Sequence, residues 1–267
     1  MSGNQLSVHV EGLGLFGPGL TGWSQARAVL RGEQDWVEAT VQLPAPDALP
    51  PAERRRVGLA LKLAMAVGFD AVRNAACDPA SLATVFSSTG SDCDNCHQIL
   101  QTLASEDRAV SPTRFHNSVH NMPAGYWSIA TACMAPSTSL CAYDATFAAG
   151  LLEAATQAAC HARPTLLIAC DSSYPEPLSA QRPIPHAMGV GLVLTPQRTA
   201  RSLATLTLSL TTTEPPDGLP DAALEALRVA VPAARSLPLL SALAQGQAAR
   251  VVLENLSGAN LAVEVTL

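Results

Sequence analysis

The chain has 267 residues, 48% apolar, 14% charged and 4% aromatic, which supplies a full hydrophobic core in one large or two small domains and excludes a disordered or fibrous chain. Its net charge is −6, and its 16 basic residues include a single lysine, Lys62; without a basic tail or stripe, nucleic acid is not an expected partner. The seven cysteines (Cys77, Cys93, Cys96, Cys133, Cys141, Cys160, Cys170) are odd in number and spread through apolar stretches, against a secreted disulfide framework. The N-terminus lacks the cationic start and apolar stretch of a signal peptide, and no apolar run is long enough to span a bilayer. A soluble, cytoplasmic protein with no membrane insertion is expected.

Residues 6–11 alternate as a strand that ends in the glycines of GLGLFGPGLTG, and a short helix is predicted over 22–31. An irregular loop over 33–50 carries Pro44, Pro46 and Pro50. From Pro51 to Ala76 the apolar residues Val57, Leu61, Met65, Phe69 and Val72 recur at helical steps, although Gly58 and Gly68 lower the propensity. A strand at 83–90 and a helix at 92–105 follow, Pro112 marks a break, and a helix at 122–134 leads into a strand at 137–143. The Ala- and Leu-rich segment 144–162 is nearly free of charge and predicts a helix buried almost all round. Next come an apolar strand at 165–170, a proline-rich loop through Pro185 and a strand near 187–195. Helices alternating with short apolar strands predict a layered α/β fold with helices on both sheet faces. Beyond Gln197 the pattern gives a strand at 202–213, helices at 220–231 and 236–246, and a closing hairpin of ARVVLEN and LAVEVTL turning at Ser257-Gly258-Ala259-Asn260.

Three segments in order, FDAVRNAACDPASLATVFSSTGSD, HNMPAGYWSIATACMAPSTSL (with Ala135 at a usual glycine) and PTLLIACDSSYPEP, resemble the N-terminal half of a β-ketoacyl synthase over roughly residues 5–197. SPTRFHNSVHN and YDATFAAGLLEA are similar to the short chain-length-factor-like proteins of aryl-polyene and xanthomonadin-type pigment clusters. The resemblance implies a thiolase-like layered αβα fold. It further implies a ketosynthase-like N-terminal lobe over 1–197 and a truncated C-terminal lobe over 198–267, packed on the same sheet in one compact unit.

In that family a Cys at the strand-to-helix turn after the Pro-Ser strand takes the acyl group. Counted from Pro136-Ser137, the matching position is Asp144, a carboxylate that cannot form the acyl thioester; the ordinary role of an acidic residue there is a helix N-cap. The enzymes also use two His and a Lys from their C-terminal half. Here every histidine (His9, His97, His116, His120, His161, His186) lies at or before 186, and the lysine is Lys62. The resemblance therefore implies a chain-length factor, a subunit with no catalytic residue, metal or cofactor of its own. Such a subunit pairs as a heterodimer with a full-length β-ketoacyl synthase, shapes its acyl tunnel and meets acyl carrier protein indirectly. The family pattern points to Ile99, Leu103, Val119 and Met122 as tunnel-lining candidates, with ordinary core packing as the alternative for each.

Four other features have readings of their own. Cys93-Asp94-Asn95-Cys96-His97 has the spacing of a c-type haem attachment site, or three of the ligands of a zinc site, with buried free thiols as the plainer reading. His116 or His120 could serve Cys133 or Cys141 as base in a stand-alone acyltransferase or hydrolase; Cys141 is expected in a buried strand, where thiols are inert, and the two histidines otherwise hold a loop or face an interface. Arg54, Arg55 and Arg56 open the predicted long helix, where the dipole disfavours them, as a docking patch for an acidic carrier protein or a solvated helix start. Gly189 and Gly191 resemble a glycine-rich strand entry, but a nucleotide-binding loop needs a helix directly after it, and none is predicted.

Overall fold

The computed structural model describes residues 5–256 and 258–267, so Ser257 of the predicted closing turn lies outside the described residues. In chain order the elements are β1 (Leu6–Gly17), β2 (Leu20–Thr21), α1 (Trp23–Leu30), α2 (Pro51–Arg54), α3 (Leu59–Ala75), β3 (Ala83–Ser87), α4 (Cys93–Ala104), α5 (Pro112–His116), α6 (Met122–Thr131), β4 (Ser137–Leu140), α7 (Thr146–Cys160), β5 (Thr165–Asp171), α8 (Leu178–Gln181), β6 (Met188–Thr195), β7 (Ala204–Thr211), α9 (Ala222–Ala230), α10 (Leu237–Gln245), β8 (Ala249–Leu253) and β9 (Asn260–Thr266). Among the described residues one sheet runs β4-β3-β5-β6-β1-β7-β9-β8, with β2 folded back on β1. β4, β3 and β5 are parallel, and the remaining neighbours are antiparallel.

The layers follow from side-chain alternation. Along β1 and β6, Leu13, Leu15, Val190 and Leu192 point to one face, which α1, α7, α9 and α10 cover. On the other face Leu166, Ile168 and Phe86 meet α3 and α6. β3 and β5 are buried along their whole length, as parallel strands between two helix layers must be. Helix α3 lies almost on the backbone of β1 and β6. A Cβ on Gly14 would sit 2.2 Å from Val67 O, and one on Gly191 would sit 2.4 Å from the same oxygen. Gly191 thus serves close helix packing, and no helix follows its strand directly.

Several sequence expectations change. The helix predicted from Pro51 to Ala76 is two helices, because Gly58 is extended at the N-cap of α3 and the Asp92 carboxylate lies 2.8 Å from where its Cβ would be. Pro112 starts a helix rather than only breaking one, as proline does at a first helical position. The helix predicted to be buried all round leaves Thr156 and Cys160 exposed, and Gln157 donates 2.8 Å to Thr138 Oγ1 on the edge strand β4. Helices cover both faces only over the β4 to β1 part of the sheet. The segment after residue 197 supplies α9 and α10 to one face, and the opposite face of β7 carries the half-exposed Thr205, Thr207 and Ser209.

Candidate functional site

The strand before the turn is shorter than the sequence predicts. β4 ends at Leu140, and Cys141, expected in a buried strand, is exposed. The chain then bends through Tyr143, whose φ of 54° is left-handed, a costly conformation for an aromatic residue, and enters a 3-10 turn over Tyr143–Ala145 that leads into α7. This is the elbow at which Asp144 stands.

Asp144 does not cap the helix: neither the turn nor α7 has a side-chain cap. Its carboxylate is taken by two guanidinium groups, Arg182 Nη2 at 2.7 Å and Arg235 Nη2 at 3.3 Å. Charge-assisted bonds of this kind are about twice as strong as a neutral N–H contact, so the arginines win the competition for the carboxylate. Arg182 comes from the loop after α8, and its guanidinium lies 3.5 Å over the Tyr143 ring centroid. Arg235 comes from a 3-10 turn over Pro232–Ser236 and pairs also with Glu254. Both arginine side chains are largely enclosed, at 18% and 13% exposure. Burial works against the charge on Arg182, and the bonds to Asp144 outweigh it, so its pKa rises.

Behind the elbow Asp171, at the end of β5, is buried. It accepts from Thr89 N at 2.7 Å and Ser88 Oγ at 3.5 Å and from the backbone N–H of Ala233. Burial nevertheless pushes its pKa up to about 6, against the pull of these bonds and of Arg182. Tyr174 is pushed up to about 12, chiefly by burial and then by Cys93. Thr89 Oγ1 closes the circle on the Tyr143 carbonyl. The elbow is therefore a neutralised ionic cluster. Its carboxylate is held by two cations, its buried acid is biased towards the neutral form, and it has no thiol at the Asp144 position.

The other candidates are scattered. Val119 and Met122 line one groove of about 530 Å³ with Phe115, Tyr126 and Ile129; Met122 is buried, while Val119 is 51% exposed. Ile99 and Leu103 lie on α4 outside that groove, Ile99 half-buried and Leu103 exposed. Arg54, Arg55 and Arg56 do not open the long helix: they sit at the C-terminal end of the separate short helix α2, the end a dipole favours for cations. Arg54 pairs with Asp47 at 2.6 Å, Arg56 with Glu53 at 3.3 Å, and Arg55 is exposed.

His120 Nε2 bonds the Ser88 carbonyl at 3.1 Å, and His116 packs edge-on to Tyr126. Cys133 is buried, with its Sγ donating to Leu82 O at 3.3 Å. The bonds these groups make do not assemble a base and a nucleophile. Cys93, Cys96 and His97 lie in the first turns of α4, and among the described residues no three or more His, Cys, Asp or Glu side chains are grouped to hold a metal ion. No helix among the described residues is long and apolar enough to cross a membrane.

Sequence reasoning missed Arg182, Arg235, Glu254 and Asp171. The one available signal was an arginine inside the apolar run PAARSLPLL, a charge that such a segment buries only with a partner.

Comparison with known proteins places this geometry. Residues 23–229 match the family described as beta-ketoacyl synthase, N-terminal domain, a span that runs past residue 197. Among curated proteins none matches the sequence. Among solved structures, similarity is found to a chain of the ketosynthase ApeO in complex with its chain length factor ApeC from Xenorhabdus doucetiae, with 21% identity over 97% of this chain and 99% of that one and a TM-score of 0.73. The ishigamide ketosynthase/chain length factor gives 17% identity, 99% of each chain and a TM-score of 0.71. The AntDE:AntF complex, a type II acyl-carrier protein with its ketosynthase bound to the hexaketide, gives 12% identity, 98% of this chain and 99% of that one, and a TM-score of 0.74. At these identities the likeness shows the fold, a thiolase-like αβα arrangement.

Proposed function

The chain belongs to the β-ketoacyl synthase family, and from that premise we propose that it is a non-condensing, chain-length-factor subunit, which pairs with an active β-ketoacyl synthase and shapes its acyl tunnel in aryl-polyene or related polyketide and fatty-acid-type synthesis. The observation that carries this reading is Asp144 at the elbow, its carboxylate bonded to Arg182 at 2.7 Å. A carboxylate cannot form the thioester that condensation needs, and here it is also taken up in ion pairs with Arg182 and Arg235.

The outer surface supports a partner. Among the described residues β4 is the edge of the sheet and pairs only with β3, an open edge that proteins ordinarily cover. Met134, three residues before β4, is 93% exposed, and Phe115 on α5 and Leu100 on α4 are 70% and 64% exposed. Within this reading Ile99, Leu103, Val119 and Met122 project towards the partner's acyl chain, Arg55 is the free member of a carrier-docking patch, and the family's lobes divide near residue 197.

The test is co-expression with a full-length ketosynthase. The expected result is a stable heterodimer, with no malonyl decarboxylation by this chain alone. Acylation of the isolated chain by a carrier-bound substrate, traced to exposed Cys141 or buried Cys133, overturns the proposal in favour of a stand-alone acyltransferase.

A further inference from the structure

The Cys93-x-x-Cys96 pair has no part in the elbow. The two cysteines are the first and fourth residues of α4, whose first turn is capped by Asp92 through a 3.0 Å bond from Asn95 N. Both thiols are free and half-buried. Residues three apart on a helix share a face, with Cβ atoms about 5–6 Å apart, and a disulfide draws them to roughly 3.5–4.5 Å. The N–H of Cys93, at the very start of α4, has no intrahelical acceptor, so the small shift needed at that end costs no helical bond from that donor. The main tether on Cys93 is the bond from its Sγ to Gly90 O at 3.3 Å, beside the Tyr174 ring.

We propose that Cys93 and Cys96 form a reversible disulfide by exchange with a small-molecule disulfide such as oxidised glutathione, and that this exchange loosens the loop of residues 88–92 that leads into α4. The less enclosed Cys96 loses its proton and attacks one glutathione sulfur, breaking that S–S bond and forming a mixed disulfide. The departing thiolate takes up a proton. Cys93, deprotonated in turn, attacks the Cys96 sulfur, and the second glutathione leaves as a thiol. Two protein thiols are oxidised, one glutathione disulfide is reduced to two thiols, and two protons pass to the leaving groups.

The loop in question is the one that holds the elbow. Thr89 N binds Asp171 at 2.7 Å, Thr89 Oγ1 binds the Tyr143 carbonyl, and Ser91 N binds Ser88 Oγ at 2.9 Å. Drawing Cys93 towards Cys96 removes its bond to Gly90 in the middle of this loop. Burial, with Asp92 close by, disfavours the thiolate of both cysteines. Exchange is therefore slow at neutral pH and quickens as pH rises, and the disulfide once formed is held firmly, because the reduced pair is not stabilised as thiolates. This pair is read on the free chain and does not rest on the partner proposed above.

The experiment uses the full chain carrying Cys141→Ser and Cys160→Ser, which removes the two exposed thiols, with the unaltered chain run in parallel. Each is equilibrated over a range of reduced-to-oxidised glutathione ratios, trapped by alkylation and mapped by peptide mass. The expected result is a peptide linked through Cys93 and Cys96, lighter by two hydrogen atoms and restored by dithiothreitol, and Cys93→Ser leaves Cys96 as a glutathione mixed disulfide. Amide exchange at Thr89 to Asp92 should quicken several-fold in the oxidised chain. Full alkylation of both cysteines at every ratio, or linkage of either to a different cysteine, overturns the pair; an internal disulfide with unchanged exchange at Thr89 to Asp92 overturns the coupling to the loop.

Discussion

Asp171 gives the elbow cluster a pH dependence whose sign and size follow from its surroundings. Its pKa lies at about 6 in the folded chain against an ordinary value of 3.8, with burial the leading cause. A group whose folded pKa is raised binds its proton more tightly in the native state. Its contribution to stability is therefore complete below about pH 4 and is lost as pH rises through about 6. A shift of about two units corresponds to about 3 kcal/mol between those limits, at about 1.4 kcal/mol per unit. The perturbation is Asp171→Asn, which removes the titration. The amide has its own cost, because Thr89 N and the Ala233 backbone both donate to the carboxylate, but that cost is independent of pH. Urea unfolding followed by tryptophan fluorescence at intervals from pH 4 to pH 7.5, which spans most of that change, should show the parent chain losing about 2.5 kcal/mol more across the range than the variant. Superimposable pH profiles of parent and variant refute the reasoning, since a buried acid with an unshifted pKa leaves no difference between them.

Other consequences can be measured separately. Asp144→Asn takes the charge from between Arg182 and Arg235; since its carboxylate is 33% exposed, the cost should be on the order of 1–2 kcal/mol in urea unfolding, below the full penalty of breaking a buried pair. Phe115→Glu, at a residue 70% exposed, should change stability by no more than about 0.5 kcal/mol and yet reduce co-purification with a ketosynthase at least several-fold; unchanged co-purification places the partner elsewhere. Met122→Ala, at a residue 5% exposed, should cost about 2–5 kcal/mol, whereas Val119→Trp should leave stability nearly unchanged and shorten the product of the reconstituted pair, read by mass spectrometry.

The order of elements was legible because local patterns agreed with one another. Fully apolar runs such as TLLIAC gave the central strands, and the Thr-Leu alternation of ATLTLSLT gave a strand with one covered face, as β7 has. What the pattern hid were choices made by distant atoms. The periodicity from Val57 to Val72 runs through Gly58 without a break, and the chain bends there because α4 presents the Asp92 carboxylate at that point. Cys141 looked like a strand residue, since nothing local shows that pairing with β3 stops at Leu140.

The elbow was legible as a position and opaque as an environment. Counting from Pro136-Ser137 places Asp144 at the turn, and chemistry alone denies it a thioester. Whether it caps α7 or is drawn elsewhere depends on groups 38 and 91 residues away, Arg182 and Arg235, which a local reading has no means to bring near. No His or Lys after residue 197 is there to fill the family's catalytic roles. Yet that segment delivers Arg235 and Glu254 to the elbow, and the Ala233 backbone to Asp171. A thiolate nucleophile needs an open approach, whereas this turn is closed by ion pairs that join the elbow, the loop after α8 and the C-terminal segment.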